Sequence, residues 1–183
     1  MLFRSVGFEL YCRILQDAID EIKGVQPPPK SSDIHIEIPL EAFIPTDYIP
    51  DGSSRVSLYQ DLSSITDIEL IPEFEEGIVD RYGPFPKPVV SLINIIKIKI
   101  LAGSLGIQKI ILSKNAKMTI YFEGNDDYLK KIMTLFIQNS KYQIQIDYSP
   151  PVSLNTNLIS RNTQTQCLEI VDILNSINKK IIL

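Results

Sequence analysis

Apolar side chains recur every three or four residues from Val6 to Gly24, then every second residue from Ile34 to Ile38. The first run places Phe8, Tyr11, Leu15, Ala18, Ile19 and Ile22 on one side, with Gly24 as a stop, and predicts an amphipathic helix. Three consecutive prolines follow in VQPPPKSSD. They forbid a helix interior and a central strand, so residues 25–32 read as a stiff linker. Beyond it, Ile34, Ile36 and Ile38 alternate with His35 and Glu37, which predicts a half-buried strand.

The segment Ala42 to Pro50, AFIPTDYIP, cannot continue that strand, because Pro45 and Pro50 lack backbone donors. It reads as a rigid connector, with Ile44, Tyr48 and Ile49 turned inward. Asp47 and Tyr48 have no local histidine, metal ligand or second paired carboxylate to act with, so a packing role is expected. After the turn at Asp51-Gly52, Ser53 or Ser54 is expected to cap a helix bearing Leu58, Leu62 and Ile65. Thr66-Asp67-Ile68-Glu69 has the form of a capping box. Pro72 should then kink that helix or begin a new one, with Glu73, Glu75 and Glu76 in the first turn of the latter. Gly83 ends it, and Pro84 and Pro86 prevent continuation.

From Pro88 to Leu105 the chain predicts a long central helix with Val89, Leu92, Ile93, Ile96, Ile100 and Leu101 on one face, widened by Ile95 and Ile98. Ile96 to Ile100 alternates like a strand, but length and the proline start favour helix. Two strands over Lys109–Leu112 and Met118–Phe122 flank a turn. A helix is expected over Asp127–Asn139, strands over Tyr142–Tyr148 and Val152–Leu158, and a closing helix over Thr163–Lys180. The fold class is α+β: a helical first half, then a small, mostly antiparallel sheet packed with helices.

Composition narrows the function. The 183 residues are 44% hydrophobic, enough for a core of one domain, or one domain plus an appendage. A net charge of −4 argues against a dedicated nucleic-acid binder. Cys12 and Cys167 are far apart and suit a reduced, cytoplasmic setting. The opening apolar stretch is broken by Glu9 and Arg13, and the most hydrophobic window, Val89 to Ile107, holds Lys97 and Lys99. Neither a secretory signal nor a membrane span is expected. No glycine begins a phosphate-cradling motif, no nucleophile elbow is present, and His35 is the one histidine. Catalytic residues, metal ligands and cofactors are therefore expected to be none.

The acids Asp61, Asp67, Glu69, Glu73, Glu75, Glu76 and Asp80 form a run without an intervening base, whereas lysines outnumber acids in the later half. Such patches suit docking on a charged partner or an ordinary mixed surface.

Three sequence pieces occur in fixed order: GFELYCR, then IPTDYIPD with Arg55-Val56-Ser57-Leu58-Tyr59 after it, then Asp80-Arg81-Tyr82-Gly83-Pro84-Phe85-Pro86. With them the chain resembles the C-terminal region, the TRCF domain, of bacterial transcription-repair coupling factors, the Mfd family. Family members are ATP-driven translocases on duplex DNA that displace stalled RNA polymerase and recruit UvrA, and none of the translocase motifs is present here. The resemblance implies that residues 1–24 correspond to the tail of the translocase module. It implies that residues 33–183 form a regulatory domain that is not itself an enzyme. That domain docks on the N-terminal UvrA-binding module of the same protein and masks it. Glu76, Asp80 and Arg81 correspond to the implied contact, although Gly77 stands where the family often has glutamate. Asp80 and Arg81 could equally form a local helix-end ion pair. The alternative is an accessory module contacting DNA through the lysine-rich second half, and a small hydrolase built on the acids from Glu73 to Asp80 is more distant.

Overall fold

A computed structural model describes residues 34–122, 127–139 and 141–182, and the helix expected over 6–24 and the linker 25–32 lie outside them. Within the described chain, residues 41–96 pack as one unit, and residues 34–40 with 97–182 as another.

The first unit begins with the proline-bounded connector. Its helix α1, Gly52–Ser64, starts one residue after Asp51, which is extended at φ −73° and ψ 123°. The Asp51 carboxylate accepts the Ser54 N–H at 2.7 Å. The cap is thus Asp51 and not Ser53 or Ser54, because the helix begins early enough for this carboxylate to reach the third helical amide. Leu58, Tyr59 and Leu62 are buried on α1, whereas Ile65 falls outside the helix and is half-buried.

The capping box does not form around Thr66. Asp67 caps instead, accepting the Glu69 N–H at 3.0 Å, and starts a 3-10 turn over Ile68–Leu70. Helix α2, Ile71–Tyr82, then begins with Pro72 in its first turn, where a missing N–H costs nothing. Of the acids, Glu73 alone lies in that turn, so Glu75 and Glu76 sit farther from the helix dipole than expected. Gly83 stops α2 at φ +81° and ψ −171°, a conformation that favours glycine, and its N–H reaches Val79 O at 2.8 Å.

Helix α3 spans Lys87–Ser104. Its apolar stripe is broad, as expected. Val89, Leu92, Ile93, Ile96, Ile98, Leu101 and Ala102 are buried, while Ile95 and Ile100 are half-buried. Gly106, at φ +65°, turns the chain out of it.

The second unit holds a five-stranded sheet of β1 (His35–Glu37), β2 (Ile107–Leu112), β3 (Lys117–Phe122), β4 (Ile144–Asp147) and β5 (Ser153–Asn157). Their order is β1-β2-β3-β5-β4; β1 runs parallel to β2 and the other pairs are antiparallel. The sheet therefore draws one strand from the first third of the chain. This is possible because α1 to α3 provide the long connection that a parallel pair requires. Cross-strand register aligns Ile36, Ile110, Ile120, Leu154 and Ile146 in a single row. The first four are buried and Ile146 is half-buried. The strand expected over 142–148 is reduced to Ile144–Asp147 and buries none of its residues fully.

Helix α4, Asp127–Asn139, buries Leu129, Ile132, Met133 and Phe136. Helix α5, Thr163–Ile182, buries Cys167, Ile170, Leu174 and Ile177, with Val171 half-buried. Phe122 meets Phe136 edge-on at 6.1 Å between ring centroids. The Asn178 amide donates to Leu101 O at 3.0 Å and its oxygen accepts from Ser104 Oγ at 2.6 Å, so a buried polar group on α5 is satisfied by α3. Burial pushes the Cys167 thiol up to about 12 and leaves it neutral. Among the described residues, no helix is long and apolar enough to cross a membrane.

The Asp51 cap carries a pH signature. Hydrogen bonds from Ser53 and Ser54 lower its carboxyl from 3.8 to about 2. A depressed carboxyl stabilises the fold above its unfolded value and loses that contribution as pH falls through its folded value. Asp51→Ala should lower the melting temperature at neutral pH, and the gap to the parent should close between about 4 and about 2. Thermal melts of both proteins across that range check this.

Candidate functional site: the acidic face of helix α2

The connector 42–50 has no helix or strand to pair with, and Ala42, Ile44 and Ile49 are buried in it. Its backbone groups still need partners. Pro45 O accepts the Tyr48 and Ile49 N–H groups at 3.2 and 3.1 Å, and side chains supply further partners. The Ile44 N–H donates to Tyr59 Oη at 2.8 Å. Arg55 Nη1 donates to Ile49 O at 2.7 Å and to Pro50 O at 2.8 Å. Tyr48 Oη donates to Gly83 O at 2.8 Å, and its ring packs against Tyr82 and Phe85. Burial, and then the neighbouring Tyr82, raise the Tyr48 phenol above its ordinary value and keep it a donor. The tyrosine expected only to pack is therefore also a hydrogen-bonded tie to the end of α2.

On α2, Glu73, Glu76 and Asp80 are spaced three and four residues apart and share one stripe, opposite the buried Ile71 and Ile78. All three are exposed, and none has a cationic partner among the described residues. Val79, 39% exposed, lies three residues beyond Glu76 on the neighbouring surface. The Arg81 guanidinium turns back on its own helix: Nε donates to Gly77 O at 3.1 Å, and the group lies 5.9 Å over the Tyr82 ring. Asp80 and Arg81 thus make no ion pair, and Asp80 faces solvent unneutralised.

Arg81, Tyr82 and Ile78 line one wall of a cleft of about 250 Å³, with Ser53, Ser54, Ser57, Leu58 and Asp61 of α1 on the other. Sequence reasoning missed this cleft because it needs the packing of α1 against α2, which no single helix pattern encodes. The fold brings Glu76, Asp80 and Arg81 onto one short helix, with Arg81 alone of the three lining the cleft. Such an arrangement offers fixed charge and a hydroxyl-lined recess to another macromolecule.

Other chemistry is sparse. His35 Nε2 lies 2.8 Å from Glu37 Oε1, and Lys109 Nζ lies 2.7 Å from the same oxygen. The Lys109 hydrogen bond leads in holding the Glu37 carboxyl below its ordinary value. Among the described residues, no group of three His, Cys, Asp or Glu side chains could hold a metal ion. The lysines of the second half are distributed over α3, β2, β3, α4, α5 and the intervening turns, and Lys130 is paired with Asp127 at 2.9 Å.

The described fold is thus an α+β domain with an acidic helix face as its most distinctive surface. A family model described as the TRCF domain matches residues 38–133, and the chain belongs to that family. A transcription-repair-coupling factor of Bacillus subtilis is 34% identical over 122 residues, covering 66% of this chain and 10% of that protein. One from Staphylococcus epidermidis is 28% identical over 158 residues, covering 79% of this chain and 14% of that protein. The chain thus spans a small part of these relatives' length. A crystal structure of the C-terminal domain of a transcription-repair coupling factor superposes with a TM-score of 0.66 at 18% identity, covering 81% of this chain and 96% of that one, a likeness of fold.

Replacing Tyr48 by Phe leaves Gly83 O without its donor. The expected loss is about 1 kcal/mol. Urea denaturation of the parent and Tyr48→Phe chains measures it, and a loss near zero would return Tyr48 to a packing role alone.

Proposed function

We propose that residues 33–183 form the regulatory domain of a transcription-repair coupling factor, an interaction module that is not itself an enzyme. It docks on the N-terminal UvrA-binding module of the same protein and masks that module's UvrA surface. Docking uses the exposed face of α2, with Glu76 and Asp80 supplying negative charge and Arg81 a fixed cation beside the cleft. The observation that carries this reading is the stripe Glu73, Glu76 and Asp80, three exposed carboxylates without a cationic partner among the described residues. Residues 41–96 hold ten acids against three bases, a net charge of −7. Charge of that density selects a basic protein surface and repels nucleic acid.

The parent protein's contacts with RNA polymerase, UvrA and duplex DNA then belong to a cycle in which this domain is released from its docking site. A docked domain lowers the apparent affinity for UvrA by the fraction of molecules that are open, about tenfold for each ~1.4 kcal/mol of closed-state preference. In a coupling factor carrying this domain, deletion of residues 33–183 should raise UvrA capture. Combined Glu76→Lys and Asp80→Lys should raise it in the same direction without moving the melting temperature. Equal capture by parent, deleted and charge-reversed proteins would refute the masking role.

A second reading draws on the net charge of +3 carried by residues 32–40 and 97–183, eleven bases against eight acids. It assigns those residues an accessory contact with DNA phosphates. Fluorescence anisotropy should then show duplex binding that weakens steeply with salt. A flat titration at low salt removes this reading.

A further inference from the structure

The two edges of the sheet are guarded differently. β1 is three residues long, and its outward-facing His35 and Glu37 are tied to each other and, through Glu37, to Lys109 on β2. Short, charged edges of this kind discourage further pairing. β4 is one residue longer, carries a single charge at its end, Asp147, and has no ion pair across its edge among the described residues. The stretch 143–147, Gln-Ile-Gln-Ile-Asp, contains no lysine, arginine, proline or glycine, and its pairing with β5 runs in unbroken register from Ile144 to Asp147. Its other edge has no strand partner among the described residues. Gln145 and Asp147 are exposed, and Ile144 and Ile146 are half-buried. Tyr148, next along, is 61% exposed.

The same stretch is nearly palindromic about Gln145. Ile144 mirrors Ile146, Gln143 mirrors Asp147, and Tyr142 mirrors Tyr148. We infer that β4 is a self-recognition edge, at which two copies of this chain pair their β4 strands antiparallel about a two-fold axis through Gln145. The pairing joins two five-stranded sheets into one. Ile144 of each copy then lies opposite Ile146 of its partner, and Gln143 opposite Asp147, so no like charges face each other. Ile146 already continues the row through Ile110, Ile120 and Leu154, and the partner's Ile144 carries that apolar row across the axis. Gln145, on the opposite side of the pleat beside Asn155, meets its own copy in a pair of amides.

An open backbone edge accepts any extended segment, but mirror symmetry in the side chains serves only a second copy of the same strand. A single strand pair is small beside a stable interface, so the dimer should be weak and populated only at high protein concentration. This inference stands apart from the α2 reading, since it uses none of the same residues.

Sedimentation velocity of the full chain, across an about hundredfold range of concentration, should show a monomer–dimer equilibrium. Gln145→Lys places two lysines face to face at the axis and should weaken the dimer about fivefold or more, as should Gln145→Glu. An equimolar mixture of the two variants should recover dimerisation, because lysine then faces glutamate. Gln145 is exposed, so unchanged melting temperatures certify both folds. A chain that stays monomeric throughout, a dimer indifferent to both variants, or a mixture that fails to recover would each overturn the proposal.

Discussion

The connector between Ala42 and Pro50 sets the constraint on which the first unit depends. Its prolines deny it a strand or helix, yet Ile44 and Ile49 are buried in it. A buried backbone without regular structure must borrow hydrogen bonds from side chains, or lose stability for each unpaired group. Arg55 and Tyr59, one turn apart on α1, meet that demand at Ile49, Pro50 and Ile44. Tyr48 then ties the connector to Gly83, where α2 must stop. α1, the connector and the end of α2 are thereby one hydrogen-bonded construction, and the face that α2 presents is held in place by it.

The same construction gives physical meaning to the family pattern. Asp51 caps α1, Arg55 and Tyr59 satisfy the connector, and Gly83 adopts the backbone that ends α2. A pattern that reads as a signature is a list of the residues that close this circuit. Asp80 and Arg81 belong to the pattern but not to the circuit: Asp80 faces solvent, and Arg81 bonds only to its own helix. Side chains that the fold does not use can meet a partner, and this separation is what supports the docking role proposed for α2.

Periodicity was a good guide wherever one element decided its own fate. The alternating isoleucines of β1, the broad apolar stripe of α3 and the spacing of Cys167, Ile170, Leu174 and Ile177 all placed buried side chains correctly. It was weaker wherever a competing local acid existed. Asp51 displaced Ser53 and Ser54 as a cap, and Asp67 displaced Thr66, because a neighbouring aspartate offers a charged acceptor to the first amides of each helix. Long-range relations were not legible at all. Nothing in the local pattern states that β1 pairs parallel with β2, that Tyr48 bonds to Gly83, or that α1 and α2 enclose a cleft. These depend on residues that lie in different elements, far apart along the chain. The acidic run was legible as composition, but only the helix shows that Glu73, Glu76 and Asp80 share a stripe.

If the α2 face docks within its own protein, weak forces are enough. An exposed ion pair contributes between nothing and about 1 kcal/mol, too little to hold two free proteins together. A tethered domain faces its site at an effective concentration that a free one never reaches, so a few such pairs can keep it mostly closed. The same weakness makes the closed state reversible, because a competing contact worth a few kcal/mol opens it. A buried apolar interface of equal area would be stronger and harder to release. Three exposed carboxylates on a rigidly anchored helix suit a lock that has to be opened in each cycle of use.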